Sequence, residues 1–138
     1  MVGLFPPLLQ AITGSGARLT VVELRAELAG RHAGYEVTLD PAALRACDKV
    51  LSTSTILLND TLDSILEHCT RAREVVLIGP GAGLLPDALF ARGVTGIGGS
   101  WVEDRAAFVA ALAAGRPWGR SARKFLWRRE TYPGLPVR

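Results

Sequence analysis

Five short runs of β-branched and aliphatic residues recur along the chain, separated by stretches of helical period or by glycine-proline turns. The runs are Met1–Phe5, Leu19–Leu24, Lys49–Thr53, Glu74–Gly79 and Val94–Ile97. Strands that alternate with helices pair in parallel through right-handed crossovers. The pattern predicts an α/β chain: a three-layer Rossmann-like sandwich with a mostly parallel sheet of about five strands, in the order 2-1-3-4-5. In such sheets ligands bind outside the carboxyl ends of the strands, where the order reverses. That point falls between the first and third strands, with the fourth next door.

The intervening segments carry helix signals. Pro6 or Pro7 can open a helix through Thr13, because proline is tolerated at the first helical position. Asp40 caps a short helix with Pro41 at its start. Asp60–Thr70 is amphipathic, with Leu62, Ile65, Leu66 and Cys69 on one face. A short helix is expected over Asp87–Ala91, and Asp104 caps a last one, Arg105–Ala114, closed by Gly115 and Pro117. Arg25–Val37 reads as a short helix over Arg25–Ala29 followed by a loop through Gly30 and Gly34.

Charge divides the chain unevenly. Residues 1–115 hold nine Arg and Lys against twelve Asp and Glu, a net −3. Residues 116–138 carry Arg116, Arg120, Arg123, Lys124, Arg128, Arg129 and Arg138 against Glu130 alone, a net +6. The division predicts a Rossmann-like domain over 1–115 and a basic aromatic C-terminal arm over 116–138. Trp118, Phe125, Trp127 and Tyr132 lie among the cations, so the arm could contact nucleic acid or an acidic partner. Fourteen Arg to two Lys points to a general composition bias instead, and nucleic acid is not the expected partner.

At 138 residues and 49% hydrophobic the chain can bury one core. No apolar run approaches the ~20 residues of a membrane span, and no basic-then-apolar leader opens the chain. Two cysteines in a domain of this size read as reduced thiols, which suggests the cytoplasm. The possible metal ligands are His32, His68, Cys47 and Cys69. No CxxC, HxxxH or HExxH brings them together, and Cys47 and Cys69 fall at apolar helix positions.

The loops at the expected switch point carry the candidate chemistry. Gly3-Leu4-Phe5-Pro6-Pro7 lacks a GxGxxG, and the prolines remove two amides from any phosphate cradle. Glu23 ends the second strand, where a carboxylate can receive ribose hydroxyls or stand exposed for no purpose. Ser52-Thr53-Ser54-Thr55 followed by Asn59-Asp60-Thr61 offers hydroxyl and amide donors to a ligand, with Asn59 or Asp60 also available as a helix cap. Gly79-Pro80-Gly81-Ala82-Gly83 lets the backbone wrap closely around a ligand or around the neighbouring loop. Gly98-Gly99-Ser100 is of the same kind.

Taken in order, MVGLFPPL at the start, LSTSTILLNDTLD at 51–63, LIGPGAGLLP at 77–86 and GVTGIGGSWV at 93–102 resemble the Rossmann-like C-terminal domain of the DUF364 family, a heavy-metal chelation label. The resemblance implies an enolase-N-terminal-like domain in front of this one and an active site in the cleft between them. It implies a possible divalent or heavy metal ion, and it matches Gly3, Phe5 and Pro6, then Thr55, Asn59 and Thr61, then Gly79, Pro80 and Pro86 to the family pattern. Asp60 replaces a family glycine, and Gly81-Ala82-Gly83 replaces Ser-Thr-Pro. Met1 falls inside the family's first strand, so the resemblance implies a shortened chain or one whose other half comes from another chain or from a homo-oligomer.

The expected function is a domain that binds a small molecule or metal chelate. Its ligand-binding residues are Gly3, Phe5, Pro6, Glu23, Thr53, Thr55, Asn59, Thr61, Gly79, Pro80 and Gly81, completed by a second domain or subunit. The alternatives are a transferase-like enzyme using S-adenosylmethionine or a nucleotide, with Glu23 on the ribose, and an interaction module acting through its basic tail.

Overall fold

The computed structural model describes residues 1–135. Its strands are β1 (Leu19–Val22), β2 (Gly30–His32), β3 (Tyr35–Thr38), β4 (Lys49–Thr53), β5 (Glu74–Ile78), β6 (Gly96–Val102) and β7 (Ala122–Arg128). The helices are α1 (Pro6–Gly14), α2 (Leu62–Glu67), α3 (Asp87–Ala91) and α4 (Arg105–Ala113). Tight 3-10 turns at Pro41–Ala46, Ser54–Leu57 and Pro80–Ala82 complete the parts that matter for the site. The fold is mixed α/β.

The pattern predicts about five strands in one sheet; the strands fall instead into two sheets, ordered β1-β3-β2 and β4-β5-β6-β7. The second is mostly parallel, with β4, β5 and β6 aligned and β7 antiparallel to β6. Of the expected strand Met1–Phe5 only Val2 pairs, bridging in parallel to Val22 and to Ser52. Gly3, at φ +78°, and the two prolines then turn the chain into α1. The expected loop through Gly30 and Gly34 is a hairpin, β2 against β3, turned at Gly34 with φ +86°. Residues 122–128, assigned to the arm by charge, form the strand β7, and Trp127 packs against the core. Arg138 lies outside the described residues.

Successive residues of a strand face opposite sides, and the core divides accordingly. Met1, Leu19, Val21 and Val37 bury against Leu8, Leu9 and Ile12 of α1, with Leu51 on the same side. Val22, Val50, Val75, Leu77 and Ile97 face the other way, onto Ile65 of α2 and Leu89 and Phe90 of α3. Among the described residues no helix is long and apolar enough to cross a membrane.

Two helix starts are capped as the spacing predicts. Asp40 Oδ1 accepts from the Ala42 amide at 2.9 Å, and Asp104 Oδ1 accepts from the Ala107 amide at 2.9 Å. Because the Asp104 cap satisfies an amide that α4 cannot, Asp104→Ala is expected to lower stability by about 1 kcal/mol, measured as a shift in urea midpoint at unchanged slope. The third expected cap is different. Helix α2 starts after Thr61 with no side-chain cap, while Asp60 takes φ +58° and the Thr61 hydroxyl donates to Asn59 Oδ1 at 2.7 Å. Asp60 thus occupies the left-handed conformation that aspartate tolerates better than most residues.

Candidate functional site

A cavity of about 340 Å³ opens at the carboxyl ends of β1 and β4. Its walls hold Gly3, Phe5, Glu23, Thr53, Thr55, Asn59 and Thr61, seven of the eleven residues singled out from the sequence. Three elements converge there: the segment around Val2, the end of β1, and the turn between β4 and α2. Val2 ties them together. Its amide donates to Leu51 O at 2.8 Å, its carbonyl accepts from the Thr53 amide at 2.9 Å, and the Gly3 amide donates to Val22 O at 2.9 Å. A Cβ on Gly3 would stand 3.1 Å from Thr53 Cγ2, so this close approach needs glycine in space as well as in φ.

Four expected residues lie elsewhere. Pro6 opens α1, and Gly79, Pro80 and Gly81 do not line the cavity. Their loop packs on the neighbouring turn. A Cβ on Gly79 would lie 2.3 Å from Ser54 Oγ, and one on Gly81 would lie 3.3 Å from the same atom. Of the two explanations for the glycine-proline loop, close contact with the adjacent loop is the one this packing supplies. Gly98 and Gly99 likewise sit inside β6, where a Cβ on Gly99 would meet the Phe125 ring at 3.0 Å.

Apart from Glu23, the polar wall is neutral. Thr53 Oγ1 accepts from the Thr55 amide at 3.2 Å, capping the 3-10 turn Ser54–Leu57, so capping accounts for Thr53 as well. The Thr53 and Thr55 hydroxyls share one bond at 3.0 Å and keep one proton to donate. Asn59 Oδ1 accepts from Thr61, which leaves the Asn59 amide nitrogen to donate and the Thr61 oxygen to accept. Such a set can hydrogen-bond hydroxyl, carboxylate or carbonyl oxygens.

Glu23 is committed to the backbone. Oε1 accepts from the Leu4 amide at 2.9 Å and Oε2 from the Leu24 amide at 3.0 Å, with Arg25 at 3.6 Å. Burial favours its protonated form, but the two amides and Arg25 outweigh burial and hold the carboxyl below its ordinary value. A carboxylate bonded in this way positions the Gly3–Phe5 segment and has little left for a ribose.

Leu24, Leu39, Pro41 and Ser64 are among the lining residues that the sequence reading missed. Leu24 and Leu39 are 76% and 44% exposed, so the cavity mouth carries an apolar rim. Leu24 falls at the end of the predicted strand Leu19–Leu24, and Leu39 continues the alternation of Tyr35 and Val37 with Glu36, Thr38 and Asp40, a strand signal that Gly30 and Gly34 mask.

Residues 1–129 match the model of the DUF364 family, described as "Putative heavy-metal chelation". The chain is similar to a DUF364-family protein of unknown function from Pyrococcus horikoshii, with a TM-score of 0.79 and 22% identity over 92% of this chain and 53% of that one. A second DUF364-family structure, from Desulfitobacterium hafniense DCB-2 and also of unknown function, gives 0.76 and 26% over 93% and 51%. An uncharacterized protein of Methanocaldococcus jannaschii is 39% identical over 57 residues, which is 41% of this chain and 22% of that protein. The chain thus spans about half the length of the two structural relatives, and its matched stretch covers about a fifth of the curated one.

Proposed function

This chain belongs to the DUF364 family, and from that premise we propose that it binds a small oxygen-rich molecule or a metal chelate in the cavity between Val2 and the β4–α2 turn. The carrying observation is the gathering of Thr53, Thr55, Asn59 and Thr61 around Gly3 and Phe5 in one cavity. Read as the remnant of a first strand, Val2 lies between β1 and β4, as the expected order 2-1-3-4-5 requires, and its two bridges support that reading. The cavity then sits at the point where the strand order reverses.

A bare heavy-metal ion does not fit this wall. Among the described residues no three His, Cys, Asp or Glu side chains gather, and Glu23, the acidic residue of the lining, is spent on amides. A metal already held by its own chelator fits better, because the protein then has only to hydrogen-bond the chelator's oxygens. The exposed rim of Leu24 and Leu39 supports completion of the site by a second domain or subunit, since apolar rims next to a polar cavity mark interaction surfaces. The free thiols Cys47 and Cys69 suit a reducing, cytoplasmic setting.

Calorimetric titration of the chain with cobalt(II) citrate tests this reading. Binding weaker than about 0.1 mM is expected from half a site, reduced at least fivefold in Thr61→Val. Tight binding by the chain alone overturns the incomplete site. Equal binding by Thr61→Val, or none by the wild type, overturns the cavity as the place of binding.

A further inference from the structure

A gap between the two sheets is used by nothing described so far. Val2 lies between β1 and β4, parallel to both, and joins the sheets at its own level. Toward the amino ends of the strands the gap opens into a groove of about 990 Å³, with Met1 at its head. The backbone along this groove is half used. Successive residues of a strand bond alternately to one neighbour and the other. The Glu23 amide donates to Thr38 O at 3.0 Å and the Arg73 amide to Asp48 O at 2.8 Å, so odd residues of β1 and even residues of β4 serve the outer neighbours. The opposite parity serves the gap. The Val22 amide donates to Met1 O at 2.8 Å, the Val2 amide to Leu51 O at 2.8 Å and the Met1 nitrogen to Thr20 O at 2.7 Å. By that parity the Thr20 amide, the Leu51 amide and the Lys49 carbonyl point into the groove. Among the described residues neither amide meets a backbone partner across the gap.

We propose that this groove is a slot for an extended peptide, the carboxyl end of a second polypeptide, which adds a strand between β1 and β4 and joins the two sheets into one. Unpaired strand backbone is the template for strand addition, and here it is offered from both sides at once. The occupant extends the line of Met1 and Val2, so it runs parallel to β1 and β4. Its amides and carbonyls then meet the Thr20 amide on one side and the Lys49 carbonyl and Leu51 amide on the other. Because Met1 stands at the head of the groove, a strand rising in that direction ends there, which calls for a chain end and not an internal loop. Alternate side chains of the occupant face Val50 and Cys47 on one side and Leu19, Ile12 and Leu51 on the other, so both of its faces are apolar. The segment 116–138 of a second copy, at net +6, does not match two apolar faces. The structural relatives are about twice as long as this chain, so a polypeptide supplying their other half is a fitting owner of such an end. The slot lies at the opposite ends of the strands from the cavity and stands whether or not that cavity holds a chelate.

The test is fluorescence anisotropy of labelled hexapeptides with free carboxyl ends and Val, Ile, Leu or Thr at the last four positions, titrated with the full chain. The best of them is expected to bind at about 50 μM or tighter. The same peptide N-methylated at its last two amides, or lengthened by Gly-Ser-Gly-Ser past its carboxyl end, should bind about tenfold more weakly or worse. Leu51→Pro removes an amide that the β4–β5 ladder does not use and should weaken binding by about as much. Should that variant not fold, hydrogen exchange on the wild-type chain decides: the peptide should protect the Thr20 and Leu51 amides and leave that of Thr61 unchanged. No binding by any of the peptides, equal binding of the N-methylated or lengthened form, or protection elsewhere overturns the slot. Dimerisation of the chain through this gap, or an intact mass of the native protein showing residues ahead of Met1 that fill it, overturns the second polypeptide as the occupant.

Discussion

Gly79→Ala is expected to lower stability by about 3 kcal/mol, the largest loss among the glycine-to-alanine changes of this chain. Two costs combine. Gly79 has φ +142°, a conformation that side chains strongly resist. The added methyl would also stand 2.3 Å from the Oγ of Ser54, a buried residue. Neither partner moves easily, since the Gly79 amide is held by Gly98 O at 3.0 Å and Ser54 opens the turn that lines the cavity. The two costs can be separated. Gly16→Ala, at φ +77° with nothing within 4 Å, carries backbone strain alone and should cost about 1 kcal/mol. Combining Gly79→Ala with Ser54→Ala removes the oxygen in the way and should recover about 1 kcal/mol or more. Urea denaturation of the four proteins measures all of this. If Gly79→Ala costs no more than Gly16→Ala, the loop does not rest on the Ser54 turn as described.

The same loop shows what the sequence discloses and what it conceals. Gly79-Pro80-Gly81 announces close approach, yet its composition does not say whether a ligand or another loop comes near, because either would exclude a Cβ. Where local signals are strong the reading carries through: Pro6 opens α1, Asp40 and Asp104 cap as spaced, and Asp87–Ala91 is a helix. Elements whose stability is tertiary are lost. Strand β2 has no buried residue and no alternation to betray it, and the alternation of Tyr35, Val37 and Leu39 with Glu36, Thr38 and Asp40 is masked by Gly30 and Gly34, which read as a loop; the stack of His32 on Tyr35, centroids 4.8 Å apart, is a cross-strand pair visible only once the register is known. Strand β7 did carry a signal. Phe125 and Trp127 alternate with Lys124, Leu126 and Arg128 at the period of a strand, and Trp127 faces the core. Reading the segment by charge hid that period.

Glu23→Gln is expected to cost about 2 kcal/mol at pH 7, and the cost should vanish in acid. Glu23 accepts one backbone amide on each carboxylate oxygen, at 2.9 and 3.0 Å, and its side chain is only 12% exposed. Glutamine keeps one acceptor and turns an N–H toward the other amide, leaving one donor of Leu4 or Leu24 unpaired; hydrogen bonds to an ionised group are worth about 1.5–3 kcal/mol each. The pH dependence follows from the lowered carboxyl. A group held below its unfolded value adds stability that is fully present above the ordinary glutamate range and is lost as pH falls through the folded value. Wild-type stability should therefore fall more steeply than that of Glu23→Gln between pH 5 and the acid limit, and the two curves should converge there, which urea melts at successive pH values will show. Parallel curves would mean that the carboxylate is not held by those amides. The consequence reaches the site, because the Leu4 bond is what fixes Gly3–Phe5 against the end of β1. Loosening it should weaken cobalt(II) citrate binding along with stability at pH 7, although Glu23 itself need never touch the ligand.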